Sequence, residues 1–172
     1  MRILFVSDGP SAHTRRWAEY FRDEGSDVHI ASFRPVEIRG VTVHLLPTFG
    51  LGRAGYPAAV FKLRSIYNKL RPDIVHAQYV TSYGFIAALA RLKPLIVTAW
   101  GTDVLIAPKE SRTLNMLTRF TLNRADAVTT VAEHMNASVI PLLKEKNKVR
   151  AIPFGVDTKF FKMTERQAAS GP

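Results

Sequence analysis

The amino-acid sequence predicts an α/β fold, in which a doubly wound, mostly parallel sheet of about seven strands has helices on both faces. Two observations lead to this prediction. Short runs rich in apolar and β-branched residues alternate with segments of helical period along the chain. Several of these runs are almost continuously apolar, which is typical of strands that are covered on both sides.

The bulk composition indicates one globular domain. The chain has 172 residues, of which 47% are apolar and 22% charged, and this length is sufficient to bury a substantial core. The chain has no cysteine, which excludes disulfides and thiolate metal sites. The opening run "MRILFV" is too short for a signal peptide, and no stretch approaches the length of a membrane span. We therefore expect a cytoplasmic protein.

The charge balance favours anionic partners. The chain has 24 Lys and Arg against 14 Asp and Glu, a formal net charge of +10. Residues 49–72 contain several basic side chains and no acidic one, although an ordinary solvated surface explains such a run as well. Nucleic acid is not expected as a partner, because no nucleic-acid-binding module is recognisable.

The first half of the chain begins with a strand over 2–7. Ser11 can then cap a helix whose stripe His13, Trp17 and Phe21 runs at i, i+4. Gly25 fits the left-handed position after the last turn of that helix. The elements predicted next are strands over 27–32 and 41–46, a helix over 57–70 and a strand over 73–78.

The second half repeats the alternation of helix and strand. In parallel sheets of this kind, ligands bind beyond the carboxyl ends of the strands, so functional residues are expected in the strand-to-helix loops. The predicted elements are an alanine-rich helix over 83–92, a strand over 94–99, a helix near 111–123, a strand over 126–131, a helix over 133–144 and a strand over 148–154.

The first strand-to-helix loop, "SDGPSAHTRR", carries residues suited to a phosphate or to substrate hydroxyls. Ser11 begins a helix whose N–H groups and dipole can hold an anion. Gly9 precedes it, while His13 and Arg16 add a donor and a positive charge. A capped helix, with His13 at the edge of the core and Arg16 in solvent, explains the same residues. Both interpretations stay open on the sequence alone.

The loop after the fifth strand, "TAWGTDV", has the composition of a sugar site. Trp100 offers an apolar face for stacking and one N–H donor. Gly101 allows a sharp turn, and the carboxylate of Asp103 can grip hydroxyl groups or accept from backbone N–H groups in an Asx-type turn. The alternative is a structural turn with a tryptophan in the core.

The string "FGLGRAGYP" contains a literal G-x-G-x-x-G at Gly50, Gly52 and Gly55. A dinucleotide fingerprint belongs after the first strand and needs a carboxylate at the end of a later strand. This string follows the third strand, and its candidate acid, Asp73, opens a strand. We therefore interpret it as a basic surface loop rather than as the site of a nicotinamide-dependent oxidoreductase.

Metal chemistry has little support in the sequence. The five histidines lack the spacing of a metal site. Three of them, His29, His44 and His76, fall inside predicted strands, where packing explains them. No P-loop and no G-x-S-x-G nucleophile motif occurs.

Four segments together carry a resemblance to a known family. They are "PSAHTRRWAEYFRDEGSDVHIAS", "VTAWGTDVLI", "RADAVTTVAEHM" and, above all, "IPFGVDTKFF". In this order they resemble the N-terminal half of family-4 retaining glycosyltransferases, which have two Rossmann-like domains (the GT-B type). The likeness runs from Met1 to about Lys162.

The resemblance implies a division of labour between two domains. The N-terminal domain would carry most of the acceptor site, and a C-terminal Rossmann-like domain would bind the nucleotide-diphosphate sugar, with no metal and no other cofactor. Trp100, Gly101 and Asp103 match the turn that faces the transferred sugar, where the family usually has His-Gly-x-Asp. Gly155 and Asp157 match the junction between the domains. The three loops are therefore expected to converge on one rim of the sheet.

The resemblance also implies where the domains divide. Residues 1–155 would form the acceptor-side domain and 156–172 the start of the interdomain linker. Because the chain stops at Pro172, we expect the second domain to be absent and the chain alone to have no transferase turnover. A binding subunit of a split glycosyltransferase, or half of a nucleotide-sugar epimerase of the same architecture, are the alternatives.

Enzymes of the family often act on lipid-linked acceptors at the inner face of the membrane. Lys62, Arg64 and Lys69, on the helix predicted over 57–70, are the candidates for a surface that contacts anionic lipid headgroups.

Overall fold

A computed structural model describes residues 1–48, 50 and 55–155. It contains one seven-stranded sheet of order β3-β2-β1-β4-β5-β6-β7, in which every neighbouring pair is parallel. The predicted doubly wound parallel sheet is therefore confirmed. The strands are β1 (Arg2–Val6), β2 (Asp27–Ser32), β3 (Thr42–Leu45), β4 (Ile74–Gln78), β5 (Leu95–Ala99), β6 (Ala127–Thr130) and β7 (Val149–Ala151).

The helices connect these strands in the predicted order. They are α1 (Ala12–Asp23), α2 (Tyr56–Leu70), α3 (Phe85–Leu89), α4 (Thr102–Leu105), α5 (Ala107–Glu110), α6 (Arg112–Arg124) and α7 (Glu133–Val139).

Two helix predictions need correction. The alanine-rich helix is shorter than 83–92: α3 covers Phe85–Leu89, and a π-helical turn over Val80–Gly84 precedes it. The helix predicted over 133–144 ends at Val139 and continues as a 3₁₀ turn, because Pro141 lacks the N–H that the helix would use there. The short helices α4 and α5 were not predicted.

Alternation along β1 divides the core between the two faces of the sheet. Ile3 and Phe5 pack with Ala18 of α1 on one face. Leu4 and Val6 point to the other face, which is covered by α2, α3, α6 and α7. Helices on both faces are thus confirmed, and the loops at the carboxyl ends of the strands are left at one edge.

The opposite, amino-terminal edge of the sheet is held by carboxylates. Asp73 accepts from the backbone N–H of Arg2 at 2.7 Å, and Asp27 accepts from the Arg2 guanidinium at 2.6 Å. Asp126 accepts from the backbone N–H of Leu95 at 2.7 Å. These bonds join neighbouring strands across the edge that carries no candidate site.

His76 is buried in the middle of the sheet. Its Nε2 lies 2.6 Å from Thr98 Oγ1, and its ring lies between those of Phe5 and Trp17, with centroids 5.4 and 5.3 Å away. Burial lowers the pKa of His76 from 6.5 to about 4. Packing therefore explains His76, as the sequence predicted.

Candidate functional site

The three loops chosen from the sequence meet at the carboxyl edge of the sheet. The His13 ring, on α1, lies 5.3 Å from the Trp100 ring and 4.4 Å from the Phe154 ring, measured between centroids. The rings of Trp100 and Phe154 are 6.1 Å apart. Arg16 Nη1 donates to the Gly155 carbonyl at 3.1 Å. The predicted convergence is therefore confirmed, and Phe154 joins it although the sequence analysis did not single it out.

The first loop differs from its prediction in two details. Ser11 occupies the N-cap position of α1, but its hydroxyl makes no capping bond within the described residues. The backbone N–H of Gly9 donates to Ser32 Oγ at 2.9 Å, and a Cβ on Gly9 would lie 2.5 Å from Val36 Cγ1. Gly9 thus allows close packing of the loop, and its N–H is already paired inside the protein.

Asp103 holds the loop after β5 through hydrogen bonds with backbone N–H groups. Its side chain is fully buried and accepts from the backbone N–H groups of Val80 at 2.8 Å, Trp100 at 3.1 Å and Gly101 at 2.9 Å. Burial raises the pKa of Asp103, and these three hydrogen bonds oppose the rise. These contacts are those of the Asx-type turn that the sequence offered as one interpretation, and a role of Asp103 at the transferred sugar stays a prediction.

Glycine is required at position 101 by its backbone conformation, and not by a lack of room for a side chain. Its φ of 140° and ψ of −80° lie where side chains rarely allow the backbone to go. No atom lies within 4 Å of the position that a Cβ would take, outside its own chain neighbours and among the described residues. The turn therefore directs Trp100 towards the rim while α4 starts immediately behind it.

Trp100 is half-buried among aromatic side chains. The Tyr79 ring packs edge-on against it, with centroids 6.1 Å apart, and the Tyr79 hydroxyl lies 3.0 Å from Thr102 Oγ1. Tyr79 has a φ of 75°, an uncommon conformation for a residue other than glycine. It directly follows β4, so the rule that ligands lie beyond the carboxyl ends of strands could have singled it out.

A cavity of about 410 Å³ opens beside Trp100. It lies at the carboxyl ends of β1, β2, β4 and β5, and so includes the point between β1 and β4 where the strand order reverses. Doubly wound sheets bind ligands at this point. Its lining is Asp8, Phe33, Arg34, Gln78, Tyr79, Ser82, Tyr83 and Trp100. Of these residues, the sequence analysis singled out Trp100 alone.

The candidate lipid-facing residues on α2 are not equivalent. Lys62, Arg64 and Lys69 are all exposed, but Arg64 Nη1 also donates to the carbonyls of Ala90 and Arg91, at 3.0 Å each. The guanidinium of Arg64 is therefore paired with the carbonyls at the end of α3, whereas the two lysines have no such contact among the described residues. Within the described ranges, no helix combines the length and the apolar character needed to cross a membrane.

Several predicted features fall at the limits of the described residues. Asp157, the linker predicted over 156–172 and the middle glycine of the string, Gly52, lie outside them. Gly50 and Gly55 lie between β3 and α2, and β3 is an edge strand of the sheet. The two described glycines of the string therefore follow an edge strand and not the first strand of the fold.

The fold and this rim define a Rossmann-like domain of the kind found in GT-B enzymes. A family model described as "Glycosyl transferase 4-like" matches residues 2–132. The chain belongs to the glycosyl transferase 4-like family. A search of curated proteins finds no match.

Solved structures support the same architecture. Sucrose-phosphate synthase from Thermosynechococcus elongatus superposes with a TM-score of 0.79 at 17% identity, over 100% of this chain and 53% of that one. HepE from Anabaena, in complex with UDP-glucose, gives 0.72 at 19% identity, over 98% and 48%. A putative UDP-N-acetylglucosamine 2-epimerase from Listeria monocytogenes gives 0.63 at 14%, over 86% and 43%. The chain thus spans about half the length of these proteins, and likeness at such identities shows the fold.

Proposed function

We propose that the chain is the acceptor-side half of a retaining glycosyltransferase that uses a nucleotide-diphosphate sugar. The observation that carries the proposal is the contact between His13, Trp100 and Phe154, which brings the first, fifth and seventh strand-to-helix loops to one rim. Family membership and HepE, which was solved with UDP-glucose, support the same reaction class. The donor is a co-substrate, and the proposed reaction needs no metal and no other cofactor.

In this proposal the rim positions substrates, and a second domain supplies the positive groups that stabilise the departing diphosphate. Trp100 stacks on the apolar side of a sugar ring, while Gly101 and Asp103 hold its loop in place. His13 and Arg16 lie along the same wall, and Ser11 and Gly9 shape the loop that carries them. Retention without a protein nucleophile requires the departing diphosphate to be stabilised by positive groups. Those groups would come from a C-terminal Rossmann-like domain across the cleft, next to Gly155 and Asp157.

Enzymatic assay tests the proposal directly. We expect the 172-residue chain alone to transfer no sugar, and the longest protein that its reading frame encodes to release nucleotide diphosphate from a donor when acceptor is present. In that protein, Trp100→Ala should lower kcat/KM about 100-fold, because the acceptor loses its stacking surface and its alignment. The matched control is Phe61→Ala, an exposed aromatic residue on α2, assayed with a soluble acceptor. Rapid transfer by the 172-residue chain, or an unchanged kcat/KM in Trp100→Ala, would contradict the proposal.

Two related functions give different results in the same assay. An epimerase half, for which the Listeria neighbour is the precedent, predicts interconversion of UDP-N-acetylglucosamine with no acceptor added. A split enzyme predicts that transfer appears when this chain is mixed with a separately encoded C-terminal half.

We further propose that the face formed by α2, α3 and α6 rests on an anionic lipid surface. A groove of about 760 Å³ lies between these helices. At or near its rim, Phe61 is 77% exposed, Leu89 40% and Met116 68%. Apolar side chains that project beside a groove are suited to insertion among acyl chains. The lining is Tyr56, Pro57, Val60, Phe61, Phe85, Leu89, Ser111, Thr113, Leu114 and Leu117.

The charge around this groove favours an anionic partner. Neither α2 nor α6 contains an Asp or a Glu. Lys62 and Lys69 are exposed on α2, and three arginines are exposed on α6. On the opposite face of the sheet, α1 mixes both signs, with Glu19 and Asp23 among its basic residues. A surface that is apolar at its centre and basic around it complements anionic headgroups.

Vesicle co-sedimentation tests this surface. We expect the chain to bind vesicles of equimolar phosphatidylglycerol and phosphatidylcholine, and to bind pure phosphatidylcholine weakly. Replacing both Lys62 and Lys69 with Gln should weaken binding about 30-fold, at about 1 kcal/mol per basic residue. Phe61→Ser should also weaken it, whereas Tyr20→Ser, which changes an aromatic residue on α1 that is 60% exposed, should not. Equal binding to both vesicle types, or a chain that dimerises through this groove and binds neither, would contradict the proposal.

A further inference from the structure

Two histidines on neighbouring strands place their ring nitrogens side by side, apart from the candidate site. His29 lies on β2 and His44 on the edge strand β3. His29 Nδ1 is 3.1 Å from His44 Nε2. Neither side chain lines the cavity beside Trp100. The two residues are 15 positions apart in the chain, which is not a metal-site spacing, and the pairing of the two strands brings them into contact.

A carboxylate fixes which nitrogen of His29 offers a lone pair to its neighbour. Asp27 Oδ1 lies 3.1 Å from His29 Nε2. Because a carboxylate only accepts hydrogen bonds, Nε2 carries the hydrogen, and in the neutral ring Nδ1 carries the lone pair. Asp27 is itself held by the Arg2 guanidinium at 2.6 Å. A carboxylate that orients an imidazole from behind is the usual outer partner of a metal-binding histidine.

The distance between the two nitrogens suits a single metal ion. Zinc–imidazole bonds measure about 2.0–2.1 Å, so two nitrogens 3.1 Å apart can both bind one ion, at an angle of about 100°. This angle lies between the square-planar and tetrahedral values that copper, nickel and zinc adopt. Small rotations about the Cβ–Cγ bonds, which are soft in histidine, turn both lone pairs towards that ion. His44 then takes the tautomer with its hydrogen on Nδ1, so no proton is gained or lost.

The histidine pair is shielded from bulk water and still accessible to an ion. The His29 side chain is 12% exposed, and His44 is half-buried. Because β3 lies at the edge of the sheet, the side of His44 away from β2 has no neighbouring strand among the described residues. Water can therefore occupy the remaining coordination positions of the ion, as it does in sites with fewer than four protein ligands.

We propose that His29 and His44 bind a divalent transition-metal ion, with Asp27 as the outer partner of His29. The ion is Zn²⁺, Ni²⁺ or Cu²⁺, because imidazole nitrogen suits these metals, whereas Mg²⁺ and Ca²⁺ prefer oxygen ligands. The bound ion joins the edge strand β3 to β2 through side chains, in addition to the backbone pairing of the two strands. This inference goes beyond the proposed function, which needs no metal, and the two can fail separately.

Calorimetric titration of the untagged 172-residue chain with zinc chloride tests the site. We expect one ion per chain with a Kd on the order of 10 μM, because the pair supplies half the ligands of a structural zinc site. Zinc should also shift the imidazole signals of His29 and His44 in nuclear magnetic resonance spectra of the ¹⁵N-labelled chain. The signals of His134, which is exposed on α7, should not shift, and magnesium chloride should shift none of the three.

Substitutions separate this site from non-specific zinc binding. His29→Gln and His44→Gln each remove one ligand, and each should weaken zinc binding about tenfold or more, whereas the matched control His134→Gln should not. Asp27→Asn removes the charge behind His29 and should weaken binding about tenfold. Lys62→Gln should tighten binding, because Lys62 is the cation on α2 whose charge acts on His44.

Three results would overturn the inference. The first is zinc binding by His29→Gln and His44→Gln that is as tight as in the parent chain. The second is a zinc-induced shift at His134 alone, and the third is the absence of binding at zinc concentrations below about 1 mM. Lys62→Gln gives a reading that does not depend on disturbing the strands, since a folding defect would weaken binding and the site predicts the opposite. Unchanged or weaker affinity in that variant counts against the site.

Discussion

Replacing Asp103 with Ala should lower the free energy of unfolding by about 4 kcal/mol, because one buried and two part-buried backbone N–H groups lose the same acceptor at once. Those groups belong to Val80, Trp100 and Gly101, so the change loosens the π-helical turn and the loop after β5 together. Urea unfolding followed by circular dichroism measures the loss. In the nuclear magnetic resonance spectrum of the ¹⁵N-labelled chain, the indole N–H signal of Trp100 should also shift, because the backbone of Trp100 is no longer held.

Two variants separate this role from a general effect of removing a carboxylate. Asp103→Asn keeps the shape and one acceptor oxygen, so it should lose roughly half as much stability as the alanine variant. Asp23→Ala removes an exposed carboxylate that pairs with Arg22 on the surface, and it should change stability little. If Asp103→Ala unfolds at nearly the same urea concentration as the parent chain, this carboxylate does not hold the loop.

Acid should destabilise the protein well above the pH at which carboxylates protonate, with a loss of about 2 kcal/mol between pH 7.5 and pH 5. The pKa of His76 is lowered by burial from 6.5 to about 4. In the unfolded chain, the His76 imidazole is therefore protonated below about pH 6.5, whereas in the folded chain it is protonated only below about pH 4. Stability falls as the pH drops through this window, and the full difference amounts to about 3 kcal/mol. Burial and the neighbouring His29 lower the pKa of His44 as well, which adds a loss of the same sign.

His76→Phe isolates the contribution of this histidine. Phenylalanine fills a similar volume between Phe5 and Trp17 and does not titrate. Thr98 Oγ1, the partner of His76, keeps a hydrogen bond to Thr129 Oγ1 at 2.6 Å, so the variant leaves no orphaned hydroxyl. Unfolding free energies of both proteins at pH 7.5 and pH 5 should show a smaller loss in the variant. Equal losses would mean that other groups carry the acid sensitivity.

The fold was predictable from the sequence because each element carries its own local signal. The run "RILFV" has apolar residues on both faces, and this pattern predicts a buried parallel strand. Gly25 has a φ of 80°, as its place after the last turn of α1 predicted. The π-helical turn before α3 has no such signal, because the buried carboxylate of Asp103, 23 residues away, holds the backbone of Val80. Long-range contact of this kind cannot be read from a window of sequence.

The candidate site was predictable in place but not in detail. The rule for doubly wound sheets selected the correct loops and brought His13 and Trp100 together. It could not show that Asp103 points into the protein, because a carboxylate beside a glycine suits both a ligand and an Asx-type turn. The cavity was missed since its lining comes from four separate strand ends. Gln78 in particular looks like an ordinary polar end to a strand, because its hydrogen bond with Thr14 joins residues 64 positions apart.

The two edges of the sheet differ in role: the amino-terminal edge joins the strands, and the carboxyl edge carries the candidate site. Hydrogen bonds of Arg2, Asp27, Asp73 and Asp126 join neighbouring strands at the amino-terminal edge, opposite the edge that carries the strand-to-helix loops. Cohesion of the strands at this edge is consequently independent of what the recognition loops contain. Segments such as the one around Trp100 could be grafted from a relative with another sugar preference, provided that Gly101 and Asp103 travel with them. On the proposed function, exchanging these loops would change the substrate preference while the strands that carry them stay the same.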